Sequence, residues 1–274
     1  AAAPKGESQE EWSRKLRYDA LKKHLNAGDI LFTAHHKDDL AETLLLQLFR
    51  GAGPAGLSAI PEYIKFGEGW HIRPFLNITR KELYEIANTI DHSWIVDDSN
   101  SDERFDRNYL RHKIMPVINE RWPGVLKTLS RSARIQTEVT ELIVELAKID
   151  LYHCINLTNN TLNQSCIKNL SDSRSLNLIR YWLKTLGQRS PSSAILRQIL
   201  IDIVHSGPDA SPCIKLDDIE IRRYRDMIFL TQNLPSMSQL DNEIRWDPDY
   251  ECKLKYGKII TKSTVGMGIS IHKM

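Results

Sequence analysis

Cysteine is scarce here: Cys154, Cys166, Cys213 and Cys252 are scattered and form no C-x-x-C pair. That removes the spacing expected of a zinc or iron–sulfur site, and reduced thiols are the simplest state. No stretch of 18 apolar residues occurs, so no transmembrane helix is expected. The opening residues show no basic segment followed by an apolar core, so no signal peptide is expected and a cytoplasmic location follows. Charge of one sign is also lacking. The 37 Lys and Arg residues against 35 Asp and Glu leave a net +2, which does not by itself announce nucleic-acid binding. There are no internal repeats. What is present is ordinary globular material, 41% hydrophobic and 26% charged over 274 residues, enough for two domains with sizeable cores.

Hydrophobic periodicity outlines the order of elements. Ser8 to Leu25 reads as an amphipathic helix closed by Gly28, Ile30 to Ala34 as a strand, and Leu40 to Arg50 as a helix. Gly51 falls where a helix C-cap belongs, although the Gly51-Ala-Gly-Pro-Ala-Gly56 loop would also let a ligand approach closely. Trp70 to Phe75 reads as a strand. Thr79-Arg-Lys-Glu82 fits a capping box opening a helix to about Ile90, and Trp94 to Val96 is a further short strand. This alternation predicts an α/β fold with a parallel sheet and helices on both faces. Phe105 to Ile118 reads as helical to near Pro116, and Trp122 to Leu151 as one long linking helix. Beyond it, helices at 173–186 and 191–204 and strands at 213–216, 219–224 and 227–230 predict a small α+β domain, with Arg225-Asp226 as a turn. The expected partition is 1–120, 121–150, 151–235, and a tail or the start of a further domain over 236–274.

One stretch gathers the chemistry. Thr33-Ala-His-His-Lys-Asp-Asp-Leu-Ala-Glu-Thr43 sits where a strand hands over to a helix, the edge at which open α/β sheets bind ligands. His35, His36, Asp38, Asp39 and Glu42 converge there. Asp39 and Glu42, three apart, share a helix face, and such a cluster suits Mg²⁺ held through one or two carboxylates. The plainer account makes Asp38 an N-cap and Glu42 a first-turn partner of the helix dipole. Downstream, Arg107 and Arg111 lie four apart on one helix face. Their planar forks suit phosphate, or else they form an ion-pair net with Asp97, Asp98, Asp102 and Asp106. Arg121, Lys127, Arg131 and Arg134, and Arg222, Arg223 and Arg225 on a strand, are patches that suit RNA phosphates. They are equally a solvated face balanced by Glu138, Glu141 and Glu145.

The Thr33–Thr43 segment with Arg50-Gly-Ala-Gly53 resembles the second signature block of the tRNA(Ile)-lysidine synthetases, which are N-type ATP pyrophosphatases with a Rossmann-like domain. Further blocks agree in order. Arg17-Tyr18, Ile72-Arg-Pro-Phe-Leu76, Asp97-Asp-Ser-Asn-Ser-Asp102 with Arg107-Asn108 and Arg111-His112, and Asp209–Leu216 with Glu220–Tyr224 are each similar to a family motif. The likeness runs from about Gly6 to about Leu230. One signature has no counterpart: the Ser-Gly-Gly-x-Asp-Ser loop whose backbone cradles pyrophosphate is not among these residues, as though the sheet were truncated at its N-terminus. These residues alone are therefore expected to hold ATP weakly and to be inactive by themselves.

The resemblance implies ligation of lysine to the wobble cytidine of an isoleucine tRNA. ATP, with Mg²⁺, adenylates the cytidine C2 oxygen, and the lysine amine then displaces AMP. It implies His35, His36, Asp39, Glu42, Arg107 and Arg111 as catalytic groups and Asp39 as the metal ligand. Arg17, Asp38, Asn108 and Arg50 would be substrate contacts, and the basic patches would meet the tRNA. Trp94, Phe105 and Tyr109 are candidate stacking surfaces for a cytidine drawn from the anticodon loop, with a core role as the default. Two rivals stay open: a tRNA thiolase of the same superfamily, whose iron–sulfur members carry the C-x-x-C pairs absent here, and a non-catalytic tRNA-binding fragment. The sequence leaves a homodimer open.

Overall fold

The computed structural model describes residues 9–90, 101–207, 209–233, 247, 250–254 and 257–260. The chain divides into two compact units, one of Ala1–Cys154 with Leu170–Ser190 and the other of Ile155–Asn169 with Pro191–Met274.

In the first unit, α1 (Gln9–Lys23) leads to β1 (Ile30–Phe32). β1 pairs in parallel with β3 (Gly69–Ile72), as a β-α-β alternation requires. A strand absent from the sequence reading, β2 (Tyr63–Phe66), pairs antiparallel with β3, so the sheet runs β1-β3-β2. The signal for it was Gly67-Glu68-Gly69 between two β-prone runs. Gly67 turns the hairpin with φ +61°, a conformation that costs glycine little. Gly69 serves a different need. A Cβ there would lie 2.4 Å from the Asp29 carbonyl oxygen, the acceptor that Trp70 N–H meets at 2.9 Å.

Helix α2 (Lys37–Phe49) begins three residues before the periodicity suggested, because His36 caps it. Gly51, at φ +69°, closes it as expected. Its apolar stripe buries Leu40 and Leu44 against Ile60, Leu76 and Ala133, with Leu57 and Leu129 alongside. Ala133 and Leu129 belong to α7 (Val125–Cys154), a 30-residue helix close to the expected span. α3 (Pro54–Leu57) starts on a proline, whose missing N–H costs nothing at a helix start. α4 (Arg80–Ala87) opens on the predicted capping box, with Glu82 N–H donating to Thr79 Oγ1 at 3.2 Å and Thr79 N–H to Glu82 Oε2 at 2.7 Å. The strand expected at 94–96 lies outside the described residues.

The helix expected over 105–118 is three pieces: α5 (Asp106–Tyr109), a π-helical stretch (Leu110–Ile114) and α6 (Met115–Arg121). It does not stop at Pro116. The proline sits in the first turn of α6, directly after the π-helical stretch. α9 (Asp172–Thr185) belongs to this unit too. Asn177 Nδ2 donates to the Ile143 carbonyl of α7 at 2.8 Å, and Arg174 pairs with the buried Asp150.

The second unit holds a five-stranded antiparallel sheet in the order β4-β5-β8-β7-β6. Strands β6 (Cys213–Leu216), β7 (Ile219–Tyr224) and β8 (Met227–Gln232) were legible, with Arg225 at φ +54° in the predicted turn. The short β4 (Ile155–Asn156) and β5 (Thr161–Asn163) were not. α8 (Gln164–Lys168), α10 (Ser193–Gln198) and a π-helical stretch (Ile199–Val204) pack with it, and a small hairpin, β9 (Cys252–Leu254) with β10 (Gly257–Ile259), stands apart from the sheet. Cys213 and Cys252 are free thiols. No described helix is long and apolar enough to cross a membrane.

The crowding at Gly69 yields a test. Gly69→Ala forces a methyl into the Asp29 carbonyl and the Leu25 side chain, and is expected to cost about 1–3 kcal/mol. Urea unfolding monitored by circular dichroism measures it, and an unchanged midpoint would show that the strand can move aside.

Candidate active site

The β1-to-α2 junction is tied down from three sides. His36 is the N-cap of α2: Asp39 N–H donates to its Nδ1 at 3.4 Å, and His36 N–H donates back to Asp39 Oδ2 at 3.0 Å. This is a capping box built from an imidazole and an aspartate instead of Ser/Thr and Glu. Asp38 reaches outward and accepts the Arg80 N–H at 2.8 Å, joining the head of α2 to that of α4. Desolvation pushes the Asp38 carboxyl up, but hydrogen bonds from His36 and Arg80 N–H outweigh it and hold it below its ordinary value. Lys37 N–H donates to the Ile78 carbonyl at 2.9 Å. Asp38 thus acts across elements and does not cap its own helix.

Asp39 and Glu42 share a face as the spacing implied, and that face receives Arg107 and Arg111. Arg111 grips Glu42 with a two-pronged fork, Nε to Oε1 at 2.7 Å and Nη2 to Oε2 at 2.8 Å. Arg107 donates through Nε to Glu42 Oε2 at 3.0 Å and through Nη2 to Asp39 Oδ1 at 3.1 Å, and Arg111 Nη2 adds a bond to the same Oδ1 at 3.3 Å. Glu42 is 2% exposed, Asp39 13%, and the two arginines 17% and 19%. Two carboxylates and two guanidinium groups therefore form a nearly dry, charge-balanced tetrad. The hydrogen bonds that Arg111 donates to Glu42 raise its guanidinium above its usual value. Such forks are strong and directional, and losing one member would leave charge buried without a partner.

These arginines form an ion-pair net whose partners among the described residues are Asp39 and Glu42. Asp102 pairs with Arg104 at 2.7 Å, and Asp97 and Asp98 lie outside the described residues. Asn108 is buried in α5. Its Nδ2 donates to the Asp102 carbonyl at 2.9 Å and so ties the preceding loop to α5. Arg107 lies in α5 and Arg111 in the π-helical stretch. The widened turn keeps residues four apart on one line, consistent with the frequent placement of π-bulges at functional sites. Tyr109 is 49% exposed and Phe105 half-buried, while Trp94 lies outside the described residues.

On the strand side of the junction runs a second network that the sequence reading missed. Thr33 Oγ1 lies 2.7 Å from His35 Nδ1 and 2.8 Å from His71 Nε2. His71, 1% exposed on β3, has its Nδ1 3.0 Å from Arg73 Nη2, and Arg73 Nη1 donates to the Pro61 carbonyl at 2.7 Å. Tyr18 and Phe66 pack on the His71 ring, and Arg14 lies over Tyr18. Burial pushes His35 down to about 4; Asp39 pulls the other way, and Arg73, Arg14 and Arg107 add to the fall. Burial, with Arg73 and Arg14, likewise pushes His71 down to about 4. Arg14, not Arg17, is the α1 arginine whose charge reaches this site. Arg17 is exposed, and Asp29, its suggested partner, binds Asn26 instead. The only sign of His71 in the sequence was a polar residue alternating with Trp70 and Ile72 on a strand.

No group of three or more His, Cys, Asp or Glu among the described residues is arranged to hold a metal. Both Asp39 oxygens already accept hydrogen bonds, Oδ1 from the arginines and Oδ2 from His36 N–H. The residues present therefore do not fit a protein-held Mg²⁺ at Asp39. Arg50 forms the C-cap of α2 through its backbone.

Beside the head of α2 opens a cleft of about 1230 Å³, lined by Lys37, Lys127, Arg131 and Arg134 with Thr128 and Asn77. Lys127, Arg131 and Arg134 fall on one stripe of α7. Arg121 is exposed at the end of α6. In the second unit Arg222 is bound to the buried Glu220 at 2.7 Å and remains 35% exposed. Arg223 departs from its expected part as a tRNA contact. It is 3% exposed, and its guanidinium donates to Ser206 Oγ and the carbonyls of Gly207, Ala210 and Arg225 at 2.5–3.1 Å. Buried, with four of its five donors bound to neighbouring groups, this side chain is not placed to meet phosphate.

Residues 1–118 match the PP-loop domain model, and residues 162–229 match the TilS substrate binding domain model. The chain is 36% identical over 97% of its length to a tRNA(Ile)-lysidine synthase of Vibrio atlanticus, covering 61% of that protein. It is 40% identical over 84% of its length to one of Photobacterium profundum, covering 52%, and 41% identical over 81% to one of Alkalilimnicola ehrlichii, covering 50%. The chain thus spans about half to three fifths of the length of these curated relatives.

Two measurements probe the site. Glu42→Ala strands two guanidinium groups and is expected to destabilise the fold by about 3–5 kcal/mol. Breaking the exposed Lys81–Glu85 pair with Glu85→Ala is expected to cost under about 0.5 kcal/mol, and equal effects in urea melts would contradict the buried tetrad. The second concerns pH. Unfolded imidazoles titrate near 6.5, whereas His35 and His71 stay neutral to about 4, so acid adds protons to the unfolded chain first. Stability should therefore fall as pH drops from 6.5 towards 4, less steeply in His71→Gln. Parallel slopes for the two proteins would show that His71 is not held neutral.

Proposed function

We propose that the chain belongs to the tRNA(Ile)-lysidine synthase family and that it serves the ATP-dependent transfer of lysine to the wobble cytidine of an isoleucine tRNA. In that reaction the cytidine C2 oxygen attacks the α-phosphorus of ATP and pyrophosphate leaves. The lysine ε-amine then forms a bond to C2, the C2–O bond breaks, AMP departs, and the amine gives up a proton. The observation that carries the reading is the tetrad at the carboxyl edge of β1, where the fold places ligands.

The tetrad's contribution is positional and electrostatic. Asp39 and Glu42 hold two guanidinium groups at fixed points, so cationic groups meet developing phosphate charge with no reorganisation at the moment of reaction. Because the two carboxylates are already neutralised, they are not a ready cation pocket. Lysine capture falls to a carboxylate less encumbered, and Asp38, 26% exposed at the same junction, is one. No step is assigned to Mg²⁺ bound by these residues.

The tRNA is proposed to lie along the α7 stripe of Lys127, Arg131 and Arg134 beside Lys37, with Arg121 and Arg222 as further phosphate contacts. Lys127, Arg131, Arg134 and Arg121 are exposed and Lys37 and Arg222 partly so, and such basic groups suit backbone positioning.

The decisive assay supplies ATP, labelled lysine and an isoleucine tRNA with cytidine at the wobble position. In a chain extended upstream to carry the Ser-Gly-Gly-x-Asp-Ser loop, lysine should enter the tRNA, and Asp39→Asn and Arg107→Ala should lower the rate by about 10²-fold or more. Lys127→Ala and Arg131→Ala should instead weaken tRNA binding and each reduce its salt slope by about one. Retention of tRNA without any lysine incorporation would overturn the catalytic reading in favour of a tRNA-binding chain.

A further inference from the structure

The network of Thr33, His35, His71 and Arg73 has a direction, and the arginine sets it. A guanidinium can only donate. Arg73 Nη2, 3.0 Å from His71 Nδ1, therefore requires that Nδ1 be bare, which places the His71 proton on Nε2. That N–H points at Thr33 Oγ1 at 2.8 Å, so the hydroxyl accepts there and spends its one hydrogen elsewhere. The remaining partner is His35 Nδ1 at 2.7 Å. His35 Nδ1 is thus an acceptor, and its ring proton sits on Nε2. Arg73 is itself fixed, 7% exposed and anchored by Nη1 to the Pro61 carbonyl at 2.7 Å. Protonating either ring at Nδ1 would set a donor against a donor or reverse the whole chain.

We infer that Thr33, His71 and Arg73 are positioning residues for His35. They fix its proton on Nε2, so His35 meets the substrate as a neutral hydrogen-bond donor to an acceptor oxygen and is not the base that takes the lysine proton. The tautomer stands on the hydrogen-bond chain alone, and only the statement about the base rests on the proposed lysine transfer. The charged groups around His35 agree with the assignment. Arg73, Arg14 and Arg107 disfavour an imidazolium, and Asp39 opposes them among the described residues. A neutral donor surrounded by guanidinium groups suits an oxygen carrying negative charge, such as a phosphate oxygen. Adjacent histidines thus divide the work: His36 accepts through Nδ1 to cap a helix, and His35 offers Nε2–H to the site.

Nitrogen-15 spectra of the histidine rings near neutral pH read the tautomer directly, with His35→Gln identifying the His35 signals among nine histidines. The wild-type protein should show a bare Nδ1 and a protonated Nε2 at His35. Thr33→Val should lose the single tautomer and give a mixture, while Thr33→Ser should keep it; Arg73→Met should mimic Thr33→Val if it folds. A proton on Nδ1 in the wild type, or an unchanged tautomer in Thr33→Val, would overturn the inference. In the lysine-transfer assay His35→Gln, whose amide can donate from near the Nε2 position, should keep most of the rate, and His35→Ala should lose about 10²-fold. Equal loss in both would overturn the donor role. If the wild type transferred no lysine but showed the expected tautomer, the reaction would fail and the hydrogen-bond chain would stand.

Discussion

The first unit turns on one carboxylate. Glu42 is almost wholly buried within the first two turns of α2 and takes a two-pronged fork from Arg111 and a third bond from Arg107. A lone carboxylate could not sit there, because the cost of removing it from water is met only by close, well-aligned partners. Its requirement reaches across the sequence. It draws in α5 and the π-helical stretch, and leaves Asp39 to share the same two cations. The apolar packing of Leu40 and Leu44 against α7 holds α2 from its other side.

Two networks of opposite character therefore flank one short loop. The tetrad is fully charged and balanced; the chain from Arg73 through His71 and Thr33 to His35 carries two neutral imidazoles. Low dielectric serves both. It strengthens the paired charges and keeps the histidines unprotonated. The loop of residues 33–36 joins them, with His36 facing the helix and His35 facing the strands.

Buried charge has a quieter use in the second unit. Arg223 spends its donors on the carbonyls of Gly207, Ala210 and Arg225 and on Ser206, and Gln164 donates to Val204 at 2.6 Å. These side chains satisfy backbone groups left over where the π-helical stretch ends, which sheet pairing cannot reach. A run of arginines on a strand is thus divided by the pleat. Arg222 keeps contact with solvent and Arg223 does not.

The sequence by itself determined what depends on neighbours a few residues apart. The Thr79–Glu82 capping box, the Arg225-Asp226 turn, the long helix expected to about Leu151, and Asp39 and Glu42 on one face all follow from local spacing and intrinsic preference. The β2–β3 hairpin was within reach of the same reasoning, through its paired glycines. Only the tertiary structure decided who meets whom. Glu42 and Arg111 are 69 residues apart, and Thr33 and His71 are 38. Nothing in a local pattern states which of several aspartates an arginine will find, or which strand arginine will be buried. Those outcomes rest on desolvation. Once the sheet pairs β1 with β3 and α2 packs on α7, each polar group removed from water must bond to whatever donor or acceptor the fold has placed beside it.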